Sequence, residues 1–312
     1  MFSHEISIKG KIVQVPAIHY GQNIITIAGK FLKIAEIFDE YWIRKNEVPD
    51  PVKVIETLSS LDRKPDLFTF TQRVPDTEPR YDYPMEYVNC AVIPLSTYEN
   101  WARKQISSMT RRNIGASEKR GIQVRVSPYD DDYVQGIMSI YNESPIRAGR
   151  KYWHYGKDFE TVQKENGTYK ERSIYLAAYY DSRMIGYMKI VLDDKSAAIM
   201  QILSMMEFRD KRPNNALMAT AVKECCSRGM EYLQYESFIY GKKADSSLTE
   251  FKRNNGFTKM DLPKYYVPLT SKGSFAIKMD FHKDLKDKLP YGLTSRLLEM
   301  RTKWYQYQAK MK

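Results

Sequence analysis

The stretch between Lys195 and Ser237 constrains the fold more than any other part of the sequence, because it alternates strand, helix and strand. Apolar runs predict strands over residues 197–206 and 230–237. The apolar spacing between them predicts a helix over 213–228, with Pro213 in its first turn and Gly229 just beyond its end. A chain with this unit is expected to build an α/β layer.

The same unit predicts a phosphate site at the start of its helix. The first N–H groups of a helix are unpaired, and the helix dipole is positive there. The residues that would form this site lie in the basic turn and the first helical turn: Arg209, Lys211, Arg212, Asn214 and Asn215. An ordinary crossover with a solvated basic turn fits these residues equally well.

Composition limits the classes of protein that fit. The chain has 312 residues, 43% of them hydrophobic, which is enough for two domains or one large one. Its formal charge of +11 favours acidic partners such as phosphates, nucleic acid or an anionic membrane surface. The three cysteines do not form a disulfide framework or a four-ligand zinc site, which fits a reducing cytoplasm.

The sequence lacks the motifs of several kinds of binding site and reaction. The closest two glycines, Gly115 and Gly121, are six residues apart, so neither the dinucleotide fingerprint nor the phosphate loop is present in its usual form. The four histidines are far apart and no His-Glu-x-x-His occurs, so we expect no metal site. No apolar run approaches the roughly 18 residues of a membrane span, and the start of the chain lacks a leader pattern. We expect a cytoplasmic protein.

The first 95 residues are predicted to alternate short strands and helices. Strands are expected over 23–28, 67–74 and 87–93, and helices over 31–42 and 51–58. A capping box at 96–99 predicts a helix that runs to Arg120 and carries a basic pair every eight residues. This helix is either a nucleic-acid contact or a solvated basic connector.

The rest of the chain is predicted to be a meander followed by the opening unit. The expected elements, in order, are a strand over 122–126, a helix over 130–141, strands over 173–180 and 184–192, the unit itself, a short helix over 247–253, and strands over 257–268 and 274–280. Three antiparallel strands leading into a strand, helix, strand unit is an unusual order.

The predicted loop over 142–156 is rich in residues that bind ligands. Aromatic planes and forked arginines recognise sugars, bases and anions. The predicted acceptor-binding residues are Arg147, Arg150, Trp153, His154 and Tyr155. The alternative is that Tyr152 and Trp153 fill the core beneath a long loop, with His154 at the surface.

This order of elements resembles the GNAT acyltransferase superfamily. The stretch Ser247-Leu248-Thr249-Glu250-Phe251-Lys252-Arg253-Asn254-Asn255-Gly256-Phe257 is similar to the segment before that family's last strands. The Arg212-Pro213-Asn214 turn and the Phe251-Lys252 pair are similar to Fem-type aminoacyltransferases of peptidoglycan bridges and GNAT-like proteins associated with polysaccharide synthesis. The resemblance implies a mixed, mostly antiparallel central sheet flanked by helices. The acyltransferase domain would span 96–282, after a degenerate GNAT-like half over 1–95.

The resemblance also implies an activity, namely acyl or aminoacyl transfer from acyl-CoA (acetyl-CoA) or aminoacyl-tRNA to an amine. The acceptor would be a small molecule, an amino sugar or a cell-envelope glycan precursor. The central strand would splay over 201–205 to hold the donor, and the backbone N–H of Leu203 or Ser204 would stabilise the oxyanion. No metal is implied.

This sequence departs from the GNAT pattern at two places. The usual phosphate signature has become Arg209-Asp210-Lys211-Arg212-Pro213-Asn214, without glycines, and Lys252 stands where many GNAT enzymes place a general-acid tyrosine. We expect the general base among Glu207, Glu236 and His154, the last because its ordinary pKa is near neutrality. The lost glycines favour the alternative of a non-catalytic, GNAT-fold module that binds RNA or carbohydrate.

The C-terminal residues 283–312 are predicted to form a basic amphipathic helix. Such a helix would make a peripheral contact with an anionic membrane through residues 290–312, or would dock on its own domain or on a partner.

Overall fold

The computed structural model describes residues 1–8, 11–147, 149–241 and 246–282, so the predicted C-terminal helix lies outside the described residues. The described chain divides into two compact units. One comprises residues 1–89 and 260–282, and the other residues 90–259. Along the described part, no helix is long and apolar enough to cross a membrane.

The strands are β1 (Phe2–Ile8), β2 (Lys11–Tyr20), β3 (Asn23–Ala28), β4 (Ile34–Ile37), β5 (Leu67–Thr71), β6 (Met85–Pro94), β7 (Gln123–Val126), β8 (Ile146–Arg147), β9 (Arg150–Lys151), β10 (Ser173–Tyr180), β11 (Arg183–Asp193), β12 (Ser196–Ser204), β13 (Tyr232–Gln234) and β14 (Thr258–Pro268). The α-helices are α1 (Pro51–Ser59), α2 (Tyr98–Asn100), α3 (Ser108–Lys119), α4 (Asp131–Tyr141), α5 (Phe159–Asn166), α6 (Pro213–Ser227), α7 (Ser247–Asn254) and α8 (Ser271–Lys278).

In the first unit, β1 to β4 pair antiparallel in sequence order, β4 is parallel to β5, and β14 is antiparallel to β5. The helix predicted over 31–42 is wrong, since this segment holds β4 and a 3₁₀ turn at Glu40–Trp42. Pairing on both sides with β3 and β5 buries Ala35 and Ile37. That tertiary pairing outweighs the helical spacing. The strand predicted over 274–280 is also wrong, because Thr270 caps a helix there, α8.

In the second unit, the strand order is β6, β13, β12, β11, β10, β7. The β12–β13 pair is parallel. The pairs β13–β6, β12–β11, β11–β10 and β10–β7 are antiparallel. Helices α4 and α6 pack against the sheet and enclose a large apolar core. The predicted mixed, mostly antiparallel sheet flanked by helices is confirmed.

The single helix predicted over 96–120 is wrong, because the helix first changes to a π-helical turn and then ends and restarts as α3. Thr97 caps α2, a π-helical turn follows at Trp101–Gln105, and Ser107 caps α3. The indole of Trp101 is buried, and its Nε1–H donates to the carbonyl of Asn255 at 2.9 Å. The buried Trp101 and the Ser107 cap, whose side chain accepts from the N–H of Thr110, stabilise the observed arrangement.

Candidate active site

The site is organised by the end of β12, where the central sheet opens. β12 pairs with β13 only over Ser196–Ala198, although it continues to Ser204. The strand predicted over 230–237 is accordingly short, and Glu236 already has a left-handed φ of 42°. An irregularity in the β11–β12 register at Met200 marks the point where the strand turns away. The edge of β12 that faced β13 is therefore open over the predicted 201–205 segment.

The antiparallel register decides which backbone groups lie on this open edge. The Met205 N–H donates to the carbonyl of Ile185 at 2.8 Å, and Leu203 lies opposite Tyr187. Because the N–H direction alternates along a strand, the N–H of Leu203 points at β11 and that of Ser204 points to the open edge. Of the two predicted oxyanion donors, Ser204 is therefore the one that faces the opening.

Glu143 fixes the backbone just beyond this edge, and the sequence analysis did not single it out. Its carboxylate accepts from the N–H groups of Met206 and Glu207, at 2.8 Å each, and pairs with Arg147 at 2.8 Å. Arg147 also donates to the Ser204 carbonyl at 2.8 Å. These hydrogen bonds and the guanidinium hold the pKa of Glu143 below its usual range despite its burial. The one signal in the sequence was the Glu–Arg spacing of four residues.

The predicted phosphate-binding residues come shortly after β12 in the sequence. A 3₁₀ turn at Arg209–Lys211 leads into Arg212, which adopts a left-handed φ of 62°, and then into Pro213 at the start of α6. Arg212 thus keeps the backbone conformation that a glycine would adopt, although the glycine is absent. Lys211 lies 4.2 Å above the ring of Tyr180, and Arg120 donates to the carbonyl of Asp210.

The first turn of α6 contains both predicted asparagines. The N–H of Asn215 donates to the Arg212 carbonyl at 3.0 Å. The Oδ1 atom of Asn214 is buried and has no partner among the described residues. Pro213 removes one N–H from this helix start. Basic side chains therefore precede this helix start, and no glycine N–H groups form a cradle there.

His154 is buried, and it is not a base poised near neutrality as the sequence suggested. Its side chain is 6% exposed, with Nε2 at 3.4 Å from Gln201 Nε2 and the ring 4.2 Å from that of Tyr141. Burial, Lys157 and Arg147 lower its pKa to about 3. The imidazole is thus neutral at physiological pH, and its Nδ1 is buried without a partner among the described residues.

A hydrogen-bonded chain links this histidine to the sheet. The hydroxyls of Tyr141 and Tyr187 are 2.7 Å apart, and that of Tyr141 donates to Gln201 Oε1 at 3.3 Å. Gln201 belongs to the open segment of β12. The position of His154 is therefore coupled to the strand that would hold a donor.

The other predicted acceptor residues lie outside this chain of hydrogen bonds. Trp153 is 62% exposed and Tyr155 is 47% exposed, while Arg150 is exposed on β9. The ammonium of Lys157 lies 3.9 Å above the indole of Trp153. Tyr152 packs against the core, as the alternative of a core-filling loop predicted. Trp153 is exposed and does not fit that alternative.

Lys252 is fully buried. Its Nζ donates to the carbonyls of Tyr235 and Ser237 at 2.6 Å each and to the Tyr240 hydroxyl at 3.2 Å. Burial lowers its pKa to about 8. The half-exposed Tyr240, which sequence reasoning missed, in turn donates to the Glu236 carboxylate. The structure thus joins Lys252 to Glu236 through Tyr240.

Five of the predicted site residues form two further groups. Arg147, Ser204 and Glu207 meet through Glu143 at the end of β12, whereas Glu236 and Lys252 meet through Tyr240 after β13. The Glu207 side chain is exposed and lies 3.6 Å from Arg183. Within the described ranges, no group of three or more His, Cys, Asp or Glu side chains is placed to hold a metal ion.

No protein-family model matches the sequence, and no curated protein matches it either. Solved structures do match its fold. The C-terminal domain (DUF2156) of a putative lysylphosphatidylglycerol synthetase from Agrobacterium fabrum aligns at a TM-score of 0.55 and 10% identity, covering 90% of this chain and 88% of that one. L-PGS from Bacillus licheniformis aligns at a TM-score of 0.53 and 11% identity, covering 82% and 85%.

FemX also matches, at a TM-score of 0.47 and 10% identity, covering 84% of this chain and 87% of that one. At such identities, the likeness to the two synthetase structures concerns the fold alone. The chain therefore shares the fold of these two structures.

Proposed function

We propose that this protein transfers an acyl or aminoacyl group from a thioester or ester donor to an amine. The observation that carries the proposal is the open edge of β12, which ends in the basic turn and the start of α6. An extended acyl carrier can pair with such an edge, and its phosphates can reach Lys211 and Arg212.

The reaction itself needs three roles. The amine nitrogen attacks the donor carbonyl carbon, and the Ser204 N–H stabilises the oxyanion that forms. The bond from carbon to sulfur or oxygen then breaks and its electron pair stays on the leaving group. A carboxylate, Glu207 or Glu236, takes the proton that the amine loses, and the Tyr240 hydroxyl protonates the leaving group.

Two donors fit this site. Acetyl-CoA is the donor that the GNAT-like fold suggests, whereas the absence of glycines before α6 favours an aminoacyl ester such as aminoacyl-tRNA. The matched Agrobacterium fabrum domain belongs to a putative lysylphosphatidylglycerol synthetase, named for an aminoacylated lipid, which supports the second donor. For the acceptor, the exposed Arg150, Trp153 and Tyr155 favour an amino sugar or a glycan precursor.

The test is a transfer assay with acetyl-CoA and lysyl-tRNA as donors and glucosamine as the amine, followed by mass spectrometry. We expect an N-acylated product from one donor. Ser204→Pro removes the N–H on the open edge without removing a bond to β11, and we expect turnover to fall about a hundredfold. A folded wild-type protein that transfers from neither donor would contradict the proposal and favour the RNA- or carbohydrate-binding alternative.

A further inference from the structure

A cavity of about 300 Å³ opens in the unit formed by residues 1–89 and 260–282. No residue assigned above to acyl transfer lines it. Its lining residues are Glu36, Ile37, Asp39, Glu40, Tyr41, Trp42, Thr69 and Lys264. The volume is at the lower end of the range for small-molecule sites, roughly 300–1,000 Å³.

The cavity lies against a polar row of the sheet. Glu36 on β4 is the register partner of Thr69 on β5, and Lys264 on β14 is the partner of Thr71. The neighbouring residues in these strands, among them Phe68 and Phe70, join the apolar cluster with α1. The side chains of the polar row therefore do not belong to the apolar core of the unit.

The buried hydroxyl of Thr69 points to a ligand. Its side chain is only 4% exposed, yet its Oγ1 atom has no hydrogen-bond partner within the described residues. Leaving a buried hydroxyl unpaired is unfavourable, and in native proteins such groups are paired with protein, water or ligand. A ligand in the cavity is placed to supply the missing partner.

The charge of the lining determines which kind of ligand fits. The lining contains three acidic residues, Glu36, Asp39 and Glu40, and one basic residue, Lys264, while Arg73 also acts on the Glu40 carboxyl. Oε1 of Glu40 accepts from the N–H of Thr71 at 3.0 Å, and a carboxylate has further acceptor sites. The rings of Tyr41 and Trp42 meet edge to face with centroids 4.8 Å apart, and aromatic faces attract cations.

We propose that this cavity binds a small primary ammonium compound. A primary ammonium has three N–H donors and no acceptor, which matches the carboxylate oxygens and the hydroxyl of Thr69. A small anion would meet the three carboxyl groups, and a neutral polyol would not compensate their charge.

The protonation of Glu40 gives binding a distinctive signature. Burial raises the pKa of Glu40 to about 7, with Glu36 acting in the same direction and the Thr71 N–H, Arg73 and Lys264 opposing it. A bound cation favours the ionised carboxylate and lowers this pKa. At pH 7 about half of the Glu40 carboxyls carry a proton, so amine binding releases up to about half a proton per site.

Calorimetric titration of the full chain with ethanolamine and glucosamine tests the proposal, with ethylene glycol and glucose as neutral counterparts. Measurements at pH 7 in two buffers with different ionisation enthalpies report the proton released. Three variants examine the lining, Glu36→Gln, Thr69→Val and Glu40→Gln, and Glu56→Gln on the exposed side of α1 is the control. Thermal unfolding shows that each variant is folded.

We expect the amines to bind and their neutral counterparts not to bind. Glu36→Gln should weaken amine binding about tenfold, because it removes a charged acceptor. Thr69→Val should weaken it less, Glu40→Gln should abolish proton release, and Glu56→Gln should change nothing. Equal binding of glucose and glucosamine, or no amine binding to the folded wild-type chain at millimolar concentrations, would overturn the proposal.

Discussion

Glu143 and Arg147 form a 2.8 Å ion pair at the point where β12 leaves the sheet, and both side chains are only 13% exposed. The carboxylate holds the N–H groups of Met206 and Glu207, while the guanidinium holds the Ser204 carbonyl. This pair therefore fixes the position of the proposed oxyanion donor relative to the basic turn.

Replacing Glu143 with alanine is expected to be strongly destabilising. The change leaves the largely buried Arg147 and two backbone N–H groups without their acceptor, which costs about 2–4 kcal/mol. Urea unfolding of the wild type and the variant measures the loss. The matched control is Glu224→Ala, which breaks the more exposed Glu224–Arg228 pair of the same spacing on α6 and should cost under about 1 kcal/mol. Equal losses in the two variants would show that the Glu143 pair is an ordinary surface pair.

His154 is expected to make the protein sensitive to mild acid. Its pKa is about 3 in the folded chain, while an unfolded histidine titrates near its ordinary 6.5. The unfolded chain therefore binds the proton first, so the stability is fully present above pH 6.5 and is lost as the pH falls toward 3. Between pH 6.5 and pH 5 the loss is about 2 kcal/mol.

The measurement is the free energy of unfolding at pH 7 and pH 5 for the wild type and for His154→Gln. Glutamine does not titrate, so the variant should lose about 2 kcal/mol less than the wild type over this interval. If the free energies of unfolding of the two proteins depend on pH identically, then His154 in the folded chain is protonated over this interval as it is in the unfolded chain.

Arg212 allows its charge to be separated from its backbone conformation. A residue with a side chain is strained at the observed φ of 62°, so Arg212→Gly should be about 1 kcal/mol more stable than Arg212→Ala. Both variants lose the same positive charge. Urea unfolding compares their stabilities, and donor titration compares their affinities. Tighter donor binding by the glycine variant would show close approach of the backbone to phosphate, and equal weak binding would show that the charge dominates.

Tyr240 and Lys252 are expected to respond differently to substitution. Tyr240→Phe removes a half-exposed hydroxyl, so kcat should fall about a hundredfold with little change in stability. Lys252→Met leaves the carbonyls of Tyr235 and Ser237 unpaired in a buried site, so stability should fall by about 2–3 kcal/mol. Transfer assays and unfolding curves distinguish the two. Tyr232→Phe on β13 is the control, and a Tyr240 variant as active as this control would remove Tyr240 from the mechanism.

The sequence predicted best those elements whose signals are local. The strands at 173–180 and 184–192 and the helix from Pro213 have clear apolar patterns, turn residues and caps, and each is present within a few residues of its predicted bounds. The 31–42 segment was mispredicted because its structure depends on pairing with β5, which is distant in sequence. The first strands, β1 and β2, were also not predicted, although they pair with each other and with β3 close by in the sequence.

The site was less accessible to sequence reasoning because its contacts are long-range. Glu143 acts on Met206 and Glu207, more than sixty residues away. The low pKa of His154 follows from burial, which its spacing in the sequence does not report. By contrast, the basic turn before Pro213 was found from the sequence, because the strand, the turn and the helix are consecutive. The opening of β12 was expected only from the resemblance to the GNAT superfamily.

The most direct test of donor binding at the end of β12 is calorimetric titration with acetyl-CoA and with lysyl-tRNA. The wild type is compared with a Lys211→Ala/Arg212→Ala double variant and with a control, Lys223→Ala/Arg228→Ala, that removes the same charge farther along the chain. We expect one donor to bind the wild type and the control alike, and to bind the double variant at least about tenfold more weakly, because the basic turn holds the phosphates. Failure of both donors to bind, or equal binding by the double variant, would contradict the proposed site.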